Sequence, residues 1–124
     1  IEFMGSVSHK EVSKVLRNSD ILVHTSVEES FGMTLIEAMA SKTAVVAGKD
    51  SGAVPWVLGY GQYGKLADIQ DKDDIAYMVI ELCENLGEWD GFTSRAYSYV
   101  QETFPLETCA ELYFKEYEKI CGCS

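Results

Sequence analysis

Two histidines, two prolines, four cysteines and only ten basic residues are spread over 124 positions, and each scarcity removes a class of function. Against twenty acidic residues the ten lysines and arginines leave a formal charge of −10. That is the wrong sign for a groove tracking nucleic-acid phosphates or for docking on anionic lipid. Cys83, Cys109, Cys121 and Cys123 lack zinc-ligand spacing, and no histidine lies near Cys121-Gly122-Cys123. No metal site is expected; unligated thiols in a reducing compartment are the reading, with a stray C-terminal disulfide or metal capture as the alternative. No apolar run approaches the roughly 18 residues of a membrane span, and no basic segment followed by an apolar stretch marks a leader. Repeats and low-complexity tracts are missing too. The length suits one soluble domain with its own core.

What is present alternates. Ile1 to Gly5 reads as a short buried strand, so the chain itself reads as a piece beginning inside an element. Ser8-His9-Lys10-Glu11 has the capping-box pattern of a helix start, with Val12, Val15 and Leu16 on the inner face. The run Ile21 to His24 and then Thr43 to Ala47 read as further strands, with a short helix between them. Gly48 to Gly64 is glycine-rich loop with one helical turn near Ala53 to Leu58. Asp71 opens a helix with Ile75, Met78, Val79 and Leu82 buried, ended by Gly87. Asp90 to Glu102 and Leu106 to Lys119 are two more helices, separated by Phe104-Pro105. Strand, helix, strand, helix, strand predicts an α/β fold: a Rossmann-like parallel sheet with covering helices.

The chemistry concentrates in Glu29-Ser30-Phe31-Gly32-Met33-Thr34-Leu35-Ile36-Glu37-Ala38-Met39-Ala40. Between Ser30 and Ser41 the one ionisable residue is Glu37. At about 100° per residue, Phe31, Met33, Leu35, Ile36, Ala38 and Met39 point in too many directions for a single apolar stripe. The helix is therefore expected to be mostly buried, with Glu37 needing a polar partner. Gly32 leaves the backbone open at the helix start, where unpaired N–H groups and the positive dipole end favour an anion such as a phosphate. A polyhydroxylated ligand bearing a diphosphate meets all of these demands.

This segment closely resembles the E-x7-E signature of retaining glycosyltransferases of the GT-B fold, in particular the family 4 group with its E-x-F-G-x-x-x-x-E-A-M-A. Ser19 to Ser26, Ala44 to Ala47 and Gly64-Lys65-Leu66 resemble the flanking strand, the next strand and the segment before the closing helices. The resemblance implies the C-terminal, nucleotide-sugar-binding half of a GT-B fold over residues 1–124, with closing helices in about 88–119. It also implies a cytoplasmic enzyme, allowed at the inner membrane face, that moves a sugar from a nucleoside diphosphate sugar to an acceptor hydroxyl. The acceptor, a glycan or lipid-linked glycan, would be met through an N-terminal domain this chain lacks, in glycan or surface polysaccharide synthesis. No cofactor and no metal are implied.

By resemblance, Glu29 holds hydroxyls of the donor sugar with main-chain help from Ser30, Phe31, Gly32 and Met33, and Glu37 holds the ribose. The diphosphate lies over the N–H groups of Met33, Thr34 and Leu35, and Gly5, Ser6 and Val7 meet the base. Plainer readings stand beside these: a solvated acid for Glu29, a salt bridge to Lys42 or another base for Glu37, and a simple turn for Gly5 to Val7. His24 is either a base or a packed residue with one satisfied nitrogen, and His9 a surface residue. Trp56, Tyr60 and Tyr63 either stack on a ligand or pack a loop. The family's Gly-x-Pro is replaced by Ser41-Lys42-Thr43-Ala44, its G-G-x-x-E loop by Ser51-Gly52-Ala53-Val54-Pro55, and its diphosphate-neutralising Arg and Lys fall outside the chain. A non-catalytic nucleotide-sugar-binding module of the same fold is the alternative function.

Overall fold

β2, Ala44–Gly48, is the spine of the molecule, buried at every position. In the computed structural model, which describes residues 1–122 and leaves the side chain of Leu86 undescribed, it lies between β1, Ile21–His24, and β3, Lys65–Ala67. All pairings are parallel: Ile21 faces Ala44 and His24 faces Ala47 on one side, Val46 faces Lys65 and Gly48 faces Ala67 on the other. Successive strand side chains point to opposite faces. Val45 and Ala47 accordingly join one core, with Leu16, Leu35, Met39, Val54, Leu58 and Val100. Ala44 and Val46 join the other, with Ala67 and Leu82, against Ile75, Met78, Val79, Trp89 and Phe92.

The helices follow local signals. α1, His9–Arg17, starts in the expected capping box, the Ser8 hydroxyl accepting from the Glu11 N–H while the Glu11 carboxylate accepts from the Ser8 N–H at 2.8 Å. α2, Met33–Ala40, follows β1, and α3, Val54–Val57, is the expected helical turn. α4, Lys72–Glu84, begins at the Asp71 cap and stops at Asn85, two residues before the expected Gly87. α5, Trp89–Thr103, and α6, Leu106–Cys121, meet at Phe104-Pro105. No helix among the described residues is long and apolar enough to cross a membrane. Cys83 and Cys109 are free thiols, and Cys123 lies outside the described residues.

Two expectations fail. Ile1 to Gly5 is not a buried strand: it has no strand assignment, and Ile1, Phe3 and Met4 are exposed. Its apolar residues carry a strand signal, but a strand also needs a paired neighbour, and the outer edge of β1 has none among the described residues. The opposite error hid β3. Lys65-Leu66-Ala67 has no β-branched residue, and only its pairing with β2 makes it a strand.

Candidate functional site

With all strands parallel, the carboxyl ends His24, Gly48 and Ala67 form one rim, where open α/β sheets bind ligands. The motif leaves that rim directly after β1. Helices flanking parallel strands run antiparallel to them, so α1 and α2 both start at the same rim. This brings His9, at the first position of α1, to the motif.

Glu29 is clamped before any ligand arrives. Its Oε1 accepts from the Gly32 N–H at 3.1 Å and the Phe31 N–H at 3.4 Å. Its Oε2 lies 3.3 Å from His24 Nε2. The Phe31 N–H, then the Gly32 N–H and the His24 ring lower the Glu29 pKa from the ordinary carboxylate range, against an opposing push from partial desolvation. Its backbone is fixed as well: the Ala53 N–H donates to the Glu29 carbonyl at 3.0 Å. Gly52 makes that approach possible. It sits at φ +54°, and a Cβ there would fall 2.2 Å from the Glu29 carbonyl oxygen. The loop Ser51-Gly52-Ala53-Val54-Pro55 thus holds the backbone of Glu29 through main-chain atoms.

Gly32 caps α2 in the left-handed region, φ +86°, and a Cβ there would crowd Leu35 Cδ1 at 2.9 Å. Among the described residues the N–H groups of Met33 and Thr34 have no backbone partner and remain available to an anion, with the Thr34 side chain half-buried. The Leu35 N–H is different. It donates to the Gly32 carbonyl at 2.9 Å, and the Leu35 side chain is fully buried, so Leu35 anchors the turn and its N–H is not open to an anion. α2 is buried on one side through Leu35, Ile36, Ala38 and Met39, while Phe31, Met33 and Ala40 are exposed. The helix is thus mostly buried, as expected, with Met33 and Ala40 exposed at its two ends.

Glu37 is half-buried and its partner is His9, whose Nε2 is 2.7 Å from Glu37 Oε1. Lys42 is instead above the Tyr97 ring, 5.6 Å from its centroid. His24 is packed as expected, but Nε2 is buried without an aligned hydrogen bond. Neither histidine contact is anticipated by the local sequence pattern. The signal available for them was topological: the end of β1 and the start of α1 fall on one rim.

Gly5, Ser6 and Val7 precede α1 in an irregular segment, Gly5 at φ +66° in open space and Val7 half-buried. No hydrogen bond joins them to the motif among the described residues. Of the aromatic candidates, Trp56 packs with Phe31 and Phe104 at centroid distances of 6.2 and 5.8 Å, and Tyr63 stacks on Tyr99 at 3.9 Å. Tyr60 is exposed. Lys49, just past β2, pairs with Asp68 at 3.1 Å, which raises the lysine pKa and lowers that of the aspartate. No group of acidic, histidine or cysteine side chains suited to a metal ion occurs among the described residues.

Residues 1–98 match the family model described as glycosyl transferases group 1. The chain belongs to that family. It is 31% identical over 123 residues to phosphatidyl-myo-inositol mannosyltransferase of Mycolicibacterium smegmatis, covering 98% of this chain and 31% of that protein. It is 30% identical to a probable sucrose-phosphate synthase of Thermosipho melanesiensis, covering 95% and 27%. The group 1 chain therefore spans about a third of such relatives' length. Among solved structures it superposes on a sucrose-phosphate synthase from Thermosynechococcus elongatus with a TM-score of 0.84 at 24% identity, over 99% of this chain and 31% of that one. An Anabaena protein solved in complex with UDP and glucose gives 0.83 at 22%, over 95% and 32%. Both likenesses establish the fold, the Rossmann-like C-terminal domain of GT-B glycosyltransferases.

Proposed function

We propose that this domain binds the donor of a retaining glycosyltransferase that moves a sugar from a nucleoside diphosphate sugar to an acceptor hydroxyl. The observation that carries the reading is the rim itself, where a carboxylate fixed by backbone N–H groups stands beside two open N–H groups at a helix start. Glu29 holds donor-sugar hydroxyls, Glu37 holds the ribose after displacing His9, and the diphosphate lies over Met33 and Thr34. Gly5, Ser6 and Val7 meet the base. Relatives bearing the names mannosyltransferase and N-acetyl-alpha-D-glucosaminyl L-malate synthase support sugar transfer as the class of reaction. Helix N–H groups stabilise the leaving diphosphate electrostatically, helped by basic side chains from elsewhere in the full-length protein. The acceptor, a glycan or lipid-linked glycan, is met by a further domain on the cytoplasmic side.

The test is a binding and turnover screen of the full-length protein across UDP-, GDP- and ADP-sugars. One donor class should bind and be consumed with retained anomeric configuration. Donor binding without any turnover would favour a non-catalytic module, and no binding to any of them would overturn the reading.

A further inference from the structure

The chain's two histidines each lie against one of the two motif carboxylates, His9 against Glu37 and His24 against Glu29. They differ in kind. The His9 side chain is 80% exposed and can swing into solvent when a ligand takes Glu37. The His24 side chain is 16% exposed and its backbone is locked in β1 opposite Ala47. Its Nε2 is buried, has no aligned hydrogen bond, and faces Glu29 Oε2 at 3.3 Å. A buried ring nitrogen without a partner is uncommon and calls for an explanation.

Glu29 supplies one. An ionised carboxylate offers about four lone-pair positions. Two N–H groups, of Gly32 and Phe31, converge on Oε1. Those two bonds fix the terminal torsion and with it the place of Oε2, but they leave both lone pairs of Oε2 unfilled. A donor beside Oε2 decides which of them faces a ligand. The carboxylate favours the ring form with hydrogen on Nε2, since a bare nitrogen there would set lone pair against lone pair.

We propose that His24 is a positioning residue for sugar transfer: in the donor-bound site its Nε2–H donates to Glu29 Oε2 and aims the remaining lone pair of that oxygen at one donor-sugar hydroxyl. The inference rests on the reading of Glu29 as the sugar-binding carboxylate. It adds that Glu29 makes a single directed contact, because Oε1 is already committed to the backbone and Oε2 is shared with the ring. A 3.3 Å approach needs only a slight turn of either side chain to become that bond.

The experiment uses the full-length protein with UDP-glucose, GDP-mannose and ADP-glucose as donors, and UDP, GDP and ADP as competing products. His24→Leu keeps bulk and removes the donor, His24→Gln keeps an N–H at similar reach, and His24→Asn falls one methylene short. With the productive donor, His24→Leu should lower kcat about tenfold or more while the inhibition constant of the matching nucleoside diphosphate stays within about twofold of wild type. His24→Gln should recover most of the turnover. Full turnover in His24→Leu, when Glu29→Gln has lost it, overturns the proposal alone. So does product affinity falling as far as turnover, which is the mark of a merely structural residue. If Glu29→Gln keeps full turnover, the sugar-binding reading fails and the His24 role falls with it. Should His24→Leu melt too low to assay, Gln against Asn decides: Gln active with Asn impaired supports the role, and equal activity of the two overturns it.

Discussion

Glu29 and Glu37 are separated by eight positions and by very different surroundings. Two backbone N–H groups converge on Glu29, whereas Glu37 answers to an exposed histidine that solvent can replace. If they hold opposite ends of one ligand, their variants separate. Glu37→Gln should weaken both the donor and the bare nucleoside diphosphate, because both carry the ribose. Glu29→Gln should depress turnover and spare product affinity. Losing a charge-assisted hydrogen bond costs roughly 1.5–3 kcal/mol, about a tenfold to hundredfold effect, so product-inhibition constants for each variant resolve it. Equal loss of nucleotide affinity in both would mean that the assignment is reversed or that the pair is structural.

At the scale of elements, the motif helix and its two flanking strands were legible in the sequence because each carries its own signal. β1 and β2 are largely apolar runs carrying β-branched residues, Ile21 and Val23 in one and Val45 and Val46 in the other, and α2 is bounded by Gly32 and Ser41. α1 declared itself through its cap. What stayed hidden depends on distant partners: β3 through its pairing with β2, and the grip of Gly52 and Ala53 on Glu29 through a loop that only the fold brings near. Gly52→Ala tests that grip. A left-handed alanine costs roughly 1–2 kcal/mol before the contact with the Glu29 carbonyl is counted, so denaturant unfolding should show a loss of about 2 kcal/mol or more. An unchanged midpoint would show that the loop gives way freely.

The turn between α2 and β2 gives the converse case. Lys42 occupies the left-handed region at φ +59°, a place where the resembled family has a glycine nearby. The turn is nonetheless tied down, with the Thr43 N–H on the Ala38 carbonyl at 2.9 Å and the buried Thr43 hydroxyl on the Leu16 carbonyl at 2.6 Å. These bonds over-determine the strained lysine. Lys42→Gly removes the strain and also the contact with Tyr97, worth about 0.5–1 kcal/mol at an exposed site. Relief of roughly 1–2 kcal/mol is offset by the loss of that contact and by the roughly 0.4–1 kcal/mol of unfolded-state freedom a glycine adds, so the variant should unfold at a nearly unchanged denaturant concentration. A clear loss of stability would mean that the cation over the ring outweighs the backbone.

For the whole molecule, two opposing electrostatic effects decide the response to acid. A formal charge of −10 makes the folded chain repel itself at neutral pH, and protonation relieves that repulsion. Against it stand carboxylates held by specific donors: Glu11 by the Ser8 hydroxyl and N–H, Glu29 by Phe31, Gly32 and His24, and Asp68 by Lys49 and the Gln70 N–H. Each has a folded pKa below its unfolded value. The unfolded chain therefore binds more protons as pH falls through the carboxylate range, and the stability these groups give above that range is lost within it. Lys49 has the opposite sign, its raised pKa giving stability that is lost only at strongly alkaline pH. Repulsion between exposed charges is screened within about 8 Å at physiological salt, while bonded pairs keep their partners, so the loss of the specific contacts should dominate as pH falls through the carboxylate range. The melting temperature should hold from neutral pH to about 5 and drop below about 4. Added salt should raise it at neutral pH, where repulsion is the uncompensated effect. Asp68→Asn should make the acid limb shallower by removing one contributor. A melting temperature that climbs steadily from pH 7 to a maximum near the isoelectric point of about 4.5 would mean that self-repulsion, and not these three contacts, governs the stability of the fold.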